Sequence, residues 1–425
     1  MNSVIQAQEI ILAHSQRLGI ESVPIDRALG RVLAEDVAAN RNHPPYDVSA
    51  MDGYAIRHAD TAGATREKPV VLKVVDDIRA GSVPECAVAT GEASMIMTGA
   101  PVPDGADAVI RVEDSRRRSH KGEHSKEEYD SDVDIWAESP PGDHIRLMGE
   151  NLRLGDTVAR AGDAIRPAEV GILAMVKKTE VAVYRQPTVA ILSSGDELED
   201  IHEPFDVAKI PNANSYTVMA QLQAIGIRPV VLGIARDTPE HLKEKLLEGL
   251  KYDVLIISGG VSVGHHDFVR PTLKDMGITM HFWRVAMRPG HPMAFGSTEK
   301  TSVFALPGNP VASMVCVEEF VVPAMRKIMG FTKLFRPTVE AVVGRSVKDK
   351  EGRMHFMRAT LEKGADRTNV VTSVGSQSSG ILMSMVNADV LMLVPASSTG
   401  LNEGEKVRVQ LLVGSDFQQQ PDLEI

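Results

Sequence analysis

Between residues 186 and 333 the chain alternates apolar runs with stretches of helical period, and four of the runs break into glycine, small and acidic residues. They are TVAILSSGDEL (188–198), VVLGIARD (230–237), DVLIISGGVSVGHHD (253–267) and SVFALPGNPVAS (302–313). An apolar run with little polar alternation marks a strand covered on both faces, as in a parallel sheet flanked by helices. The intervening NANSYTVMAQLQAIG, PEHLKEKLLEGL and PVASMVCVEEFVVPAMRKIMG read as those helices, with Pro239 and Pro310 near their starts. A doubly wound α/β domain follows. Loops at the carboxyl ends of its strands gather where the strand order reverses, and such sheets bind their ligands there.

The flanking regions carry other periods. Val4, Ile5, Ile11, Leu12 and Leu18 recur at helical spacing, so the N-terminus reads as an amphipathic helix and not as a signal peptide. VPIDRALGRVLAEDV (23–37) reads as a second helix with Asp26 as its N-cap. NHPPYDVSAMDGYAIR (42–57) opens a β-rich section running to about Gly149, and within it SRRRSHKGEHSKEEYDSD (115–132) reads as a solvated hairpin tip or mobile loop. Another helix is expected from near Pro167. From Phe335 onward PTVEAVVGRSV, HFMRATLEK and EKVRVQLLV alternate as short strands, which suits a small β-barrel or sandwich.

Composition narrows the function classes. At 425 residues the chain must divide into several domains. Its apolar runs, such as VLMLVPA from Val390, are too short to cross a bilayer, and the cytoplasm is the expected location. Two cysteines make no disulfide framework, so Cys86 and Cys316 are expected to be reduced bystanders. A net charge of -11 argues against general nucleic-acid binding. An anionic ligand therefore needs a local basic patch or a bound cation.

Asp196, Glu197, Asp237 and Asp267 all follow expected strand ends. Carboxylates converging on one sheet edge repel unless a cation or protons intervene, and hard oxygen donors suit Mg²⁺ beside a phosphate. Each of them alone is equally well explained as a helix cap or turn closure; all four together are not. Gly259, Gly260 and Gly264 let backbone N–H groups approach an anion, Ser262 adds a hydroxyl, and Ser194 and Gly195 open the neighbouring acidic loop. The glycine loop lacks the lysine and hydroxyl ending of a Walker A loop, and His265 and His266 have no third ligand at zinc-like spacing. Pro307, Gly308, Asn309 and Pro310 form a rigid turn into a helix N-terminus, either an anion seat or only a stiff connection. In FWRVAMRPGHPMAFG (282–296), Arg284 and Arg288 stand an even number of residues apart and would share one side of an extended strand. Their guanidinium forks match phosphate or oxyanion geometry, against the alternative of plain surface charge. Asp52 in SAMDGYA and Thr98 in MTGAPVPDGADAV read, by themselves, as turn chemistry. These residues specify an anion and metal site on an α/β domain without specifying a reaction.

Seven segments occur in order across nearly the whole chain: PPYDVSAMDGYAIR, MTGAPVPDGADAVIRVED, GEN at 149–151, SSGDEL, GGVSVGHHDFV, MRPGHPMAFG and ALPGNPVAS. Together they closely resemble the molybdenum insertase (molybdopterin molybdenumtransferase) family, whose members include the C-terminal domain of gephyrin. The resemblance implies an α/β plus β fold in an elongated multidomain chain. In it, 1–14 with 183–333 is the doubly wound molybdopterin- and nucleotide-binding domain, and 15–42 with 150–182 is a small mixed connecting domain. Residues 43–149 are then a β-rich domain, 334–415 a C-terminal β-barrel and 416–425 a tail. The implied reaction joins adenylylated molybdopterin and molybdate to give molybdenum cofactor and AMP, with Mg²⁺. The implied partners are a second copy of the chain, a separate molybdopterin adenylyltransferase and acceptor molybdoenzymes, with neither nucleic acid nor membrane.

Residue by residue, Glu197, Asp237 and Asp267 match the family's acidic cleft positions, where the metal is expected. Asp52 and Thr98 match positions that complete the cleft of the opposite subunit. Pro307 and Pro310 match a proline pair, Arg284 and Arg288 match basic positions often filled by lysine, and Ser376 matches a position in the last domain. Two residues depart from the pattern. Asn151 stands where some members carry Asp, and His291 stands where Lys is common, so anion binding there should weaken as the imidazole loses its proton. The same residues also leave open a dimeric scaffold on the insertase fold, a tungstate-handling paralogue, and a nucleotide pyrophosphatase sharing only the α/β domain.

Overall fold

The structure, a computed structural model, describes residues 1–118, 131–260, 269–350, 352–364 and 367–412. Ser262, Gly264 and Asp267, the adjacent His265 and His266, most of the charged segment 115–132 and the expected tail lie outside the described residues. The chain divides into two units, Asp36–Arg160 with Ala168–Thr179, and Met1–Glu35 with Ala161–Pro167 and Glu180–Ile425.

The first of these units is built on a six-stranded sheet in the order Ala108–Arg111, Gly53–Ile56, Glu92–Ile96, Val70–Ile78, Ser131–Ile135, Ser115–Arg117. Tyr54, Ile56, Leu72, Val74, Val133 and Ile135 form its core. Ser115–Arg117 pairs with Ser131–Ile135, so both described ends of the charged segment are strand. The helix expected from Pro167 is present over Pro167–Met175.

In the second unit, the apolar runs are strands because each can bury both faces. Val189, Ile191, Val254, Ile256, Phe304 and Leu306 point into one core with Val4, Ala7, Ile11, Val218, Leu222 and Val315. The alternate residues Ala190, Leu192, Leu255, Ile257, Val303 and Ala305 point into another with Leu242, Leu246 and Leu273. The six-stranded sheet runs Val230–Ala235, Val189–Ser194, Val254–Ser258, Ser302–Leu306, Ala294–Ser297, Thr279–Phe282. The first four strands are parallel, Ala294–Ser297 runs against them, and Thr279–Phe282 pairs antiparallel with Ala294–Ser297 and so runs with the first four. The helices come where the periodicity placed them: Ala213–Gln223, capped by Asn212, and Pro239–Gly249, capped by Thr238 with Pro239 in its first turn. The long apolar helix is interrupted, running as Pro310–Cys316, a π turn at Val317–Val321, and Val322–Ile328. The N-terminal helix, Val4–His14, is closed by a Ser3–Gln6 capping box and buries Val4, Ala7 and Ile11.

One expected helix is absent. Residues 23–37 instead form the end of the strand Ile20–Pro24, a single 3₁₀ turn at Ile25–Arg27 that contains Asp26, and bridges from Val32 to Ala164 and Leu33 to Val183. Ala28, Val32 and Leu33 are buried at spacings that mimic a helical stripe. Pro24 and Gly30, at φ 75°, favour extended and turning backbone there, and the strand and bridges supply the hydrogen bonds.

The last strands close on themselves. Met354–Lys363 pairs with Asn369–Ser373 and Val390–Val394; Thr338–Val343 joins Asn369–Ser373 to Lys406–Leu411; and Lys406–Leu411 returns to Val390–Val394. The result is a five-stranded barrel filled by Val343, Met357, Val371, Met392, Val394 and Val409. Outward-facing Phe356 and Leu391 enter the α/β core, which fixes the barrel on that domain. No helix among the described residues is long and apolar enough to cross a membrane.

Candidate active site

The strand register brings four loops to one sheet edge. Ser194 lies opposite Ala235, Ser193 opposite Ser258, and Ser258 opposite Leu306, so the loops that follow all leave from the same end. The chain passes from the Val189–Ser194 strand outward to Val230–Ala235 and then back across to Val254–Ser258, which makes this the switch point of the sheet.

Close backbone approach shapes the crevice. A Cβ on Gly259, whose φ is +91°, would stand 2.5 Å from the Ser194 carbonyl oxygen, and one on Gly260 would stand 2.4 Å from Val269 Cγ2. Gly308 packs beside them, 3.7 Å from the Gly259 Cα by the same measure. The Glu197 carboxylate folds over Gly195, where a Cβ would meet its Oε2 at 2.4 Å. Gly195 N–H donates to Ala235 O at 3.2 Å. Asp196 and Asp237 hold each other: each carboxylate accepts the other's backbone N–H at 3.3 Å, and Ser194 Oγ lies 3.5 Å from Asp237 Oδ1. A cavity of about 110 Å³ is lined by Ser194, Glu197, Asn212, Asn214, Gly308 and Pro310, among others.

Asn212 and Asn214 were not singled out from the sequence, although an Asn-Ala-Asn step at a helix start is a capping signal. Asn214 Nδ2 donates to Ser258 Oγ and to Gly308 O, both at 2.8 Å, and so ties two crevice loops together. Asn214→Ala should therefore lower the unfolding free energy by about 1–2 kcal/mol, as expected when the buried Ser258 hydroxyl loses its donor. Urea denaturation would measure this, and an unchanged midpoint would remove Asn214 from the crevice framework.

The Pro307–Pro310 turn separates that cavity from a second one. Pro307 and Asn309 line a hollow of about 340 Å³ together with Arg288, His291, Arg353, Ser378 and Ser379. The barrel loop closes over the helix N-terminus here: Val311 N–H donates to Ser379 O at 3.1 Å, and Asn309 Nδ2 to Ser379 Oγ at 2.9 Å. Ser376, the position matched in the last domain, accepts the Ser378 N–H through its Oγ at 3.3 Å and so supports this loop. His291 is fixed by its Nδ1, 2.9 Å from Val285 O. Arg353, Ser378 and Ser379 could not be found by spacing, because barrel closure is what brings them to the turn.

Arg284 and Arg288 do not share a strand face. The chain leaves the sheet after Phe282, and Met287–Arg288 pairs instead with Met354–His355 of the barrel. Arg288 enters the hollow beside the turn, whereas Arg284 borders a different one with Arg270 and Trp283. In the other unit, Thr98 donates to Asp52 Oδ1 through its N–H at 2.7 Å and its hydroxyl at 2.8 Å. The backbone bond and then the hydroxyl hold the exposed Asp52 carboxyl below its ordinary pKa. Gly53 is required beside it, since a Cβ would fall 1.8 Å from Ile110 O.

Among the described residues no three His, Cys, Asp or Glu side chains form a ready metal site. The side chains at this sheet edge, Asp196, Glu197, Asp237 and the Ser194 hydroxyl, offer only oxygen, which suits a hard cation and not zinc. Both cysteines are free; Cys316 is buried, which pushes its thiol pKa up, and it stays a packing residue.

An acidic switch-point crevice beside a cationic hollow, on a doubly wound sheet carrying a barrel, defines a ligand-binding α/β protein of the molybdopterin-binding type: residues 190–327 match a probable molybdopterin binding domain. Residues 2–176 match the MoeA N-terminal region (domains I and II), and residues 340–412 match the MoeA C-terminal region (domain IV). A molybdopterin molybdenumtransferase of Nostoc sp. is 33% identical over 394 residues, 92% of this chain and 88% of its own. Molybdopterin molybdenumtransferase 2 of Mycobacterium tuberculosis is 33% identical over 420 residues, 96% of this chain and 99% of its own. The crystal structure of the molybdopterin biosynthesis MoeA protein of Pyrococcus horikoshii superposes with a TM-score of 0.79 at 29% identity, covering 97% of this chain and all of that one. The chain belongs to the MoeA family of molybdopterin molybdenumtransferases.

Proposed function

We propose that the chain inserts molybdate into adenylylated molybdopterin with release of AMP, the step that completes molybdenum cofactor biosynthesis. The observation that carries this reading is the pair of cavities flanking one Pro-Gly-Asn-Pro turn, one acidic and glycine-lined, the other cationic. A phosphoanhydride needs close backbone approach with a cation, and a molybdate dianion needs fixed positive donors. Gly259, Gly260 and Gly308 supply the approach, and Arg288 and Arg353 supply the donors. Glu197 and Asp237, with Asp267, would hold Mg²⁺, whose charge offsets that of the diphosphate. Water cleaves the diphosphate, AMP leaves with one phosphate, and the pterin keeps the other. The positioned groups lower the barrier by electrostatic preorganisation, without a covalent enzyme intermediate.

The same reading includes a homodimer in which Asp52 and Thr98 complete the opposite subunit's cleft. It also includes transient exchange with an adenylyltransferase and with acceptor molybdoenzymes in the cytoplasm. Incubation with adenylylated molybdopterin, Mg²⁺ and molybdate should yield AMP and a product that reconstitutes a cofactor-free molybdoenzyme. Failure to form AMP with either oxyanion would favour a binding scaffold, and AMP formation with tungstate alone would assign a tungstate enzyme.

A further inference from the structure

The cationic hollow has a buried support that no motif revealed. Arg288 lies opposite His355 in the short parallel pairing with the barrel. Its side chain is 48% exposed, while the carboxylate it meets, Asp349, is 2% exposed; Arg288 Nη1 donates to Asp349 Oδ1 at 3.0 Å. Behind it, Asp349 Oδ2 lies 2.8 Å from Nδ1 of His355, also 2% exposed. The Lys350 N–H donates to Asp349 Oδ1 at 2.8 Å. Three donors thus fix a buried carboxylate that would be costly if left unpaired. Burial, with Arg288 and Arg358 near, pulls the His355 pKa down against the pull of Asp349, so the ring is a neutral Nδ1–H donor that adds no charge.

We propose that Asp349, held by His355, is a positioning residue that presents Arg288 to the oxyanion in this hollow. The proposal rests on the reading that the hollow takes molybdate. Asp349 engages only Nη1, so Nε and Nη2 make no other hydrogen bond among the described residues and can meet two oxygens of a tetrahedral anion. The carboxylate partly offsets Arg288, but Arg353 lines the same hollow and keeps it attractive to an anion. Without Asp349 the long arginine side chain would have to be ordered when the anion binds, and affinity would fall.

Titration calorimetry of the full chain with sodium molybdate tests this. Asp349→Ala should raise the dissociation constant about tenfold, whereas Asp349→Asn, which keeps an acceptor for Nη1, should raise it no more than about threefold. Arg288→Ala should weaken binding, and adding Asp349→Ala to it should change the constant by less than about twofold. Unchanged or tighter binding by Asp349→Ala, or an undiminished loss in the Arg288→Ala background, overturns the proposal. Should Asp349→Ala fail to fold, His355→Ala carries the same test, with about a threefold loss that Arg288→Ala erases. Unaltered molybdate binding by Arg288→Ala alone would instead refute the assignment of the hollow.

Discussion

Gly259→Ala is expected to reduce AMP release by about 100-fold or more and to destabilise the chain by about 2–4 kcal/mol. Two separate costs meet at this position. Its φ of +91° is poorly accessible to a residue with a Cβ, and the added methyl would lie 2.5 Å from the Ser194 carbonyl oxygen. That oxygen cannot retreat cheaply, because it belongs to backbone anchored in the sheet, with the neighbouring Ser193 in register with Ser258. Relief requires the ends of two adjacent parallel strands to part, and this displaces Ser194 and Asp237 from the turn at Gly308. Gly277 is the control. Its φ is +74° but nothing lies within 4 Å of a Cβ there, so Gly277→Ala should cost only about 1 kcal/mol and leave activity intact. Thermal unfolding and AMP release measured on both variants separate the backbone term from the close approach. Equal effects at the two glycines would mean that the Ser194 contact does not shape the crevice.

The parts of this site that the sequence exposes are those where one strand declares itself. Val254–Ser258 is apolar at every position but its last because it is covered on both faces, and its glycines follow directly. A loop at a strand end can be placed without knowing its neighbours, and so Ser194, Asp237, Gly259 and Gly308 were legible. Pairing with distant segments was not. The stretch 23–37 has helical spacing, yet Val32 and Leu33 answer to Ala164 and Val183, more than a hundred residues away. The even spacing of Arg284 and Arg288 presumed one strand, while the backbone hydrogen bonds of Arg288 belong to the barrel. Asp349, Arg353, His355 and Ser379 acquire their roles only when the barrel closes and seats on the helix at Pro310. A single residue's type carries no record of such an encounter.

A barrel seated in this way should respond to pH through Glu319, the second prediction of large effect. Glu319 lies in the π turn, buried, with Oε1 accepting Gln410 Nε2 of the barrel at 2.7 Å and Oε2 lying 3.4 Å from Gln8 Nε2. Its neighbour Glu318 takes Arg336 Nε and Gln221 Nε2, each at 2.9 Å, so the nearby cation is spent on Glu318. Burial pushes the Glu319 carboxyl up from 4.5 to about 7; the Gln410 bond opposes this and the Glu318 charge adds to it. The folded chain therefore keeps a proton that the unfolded chain gives up. Stability is full below about pH 4.5, declines as pH rises towards 7, and stays lower above it, by about 3 kcal/mol in all. Glu319→Gln retains an acceptor for Gln410 and cannot ionise. It should match the parent at pH 4.5 and exceed its stability by about 3 kcal/mol at pH 8, since only the parent must bury a charge there. Urea unfolding at the two pH values reads the difference directly. A constant gap between parent and variant across that range would show that Glu319 does not titrate in the fold, and that the join between α/β core and barrel tolerates its charge.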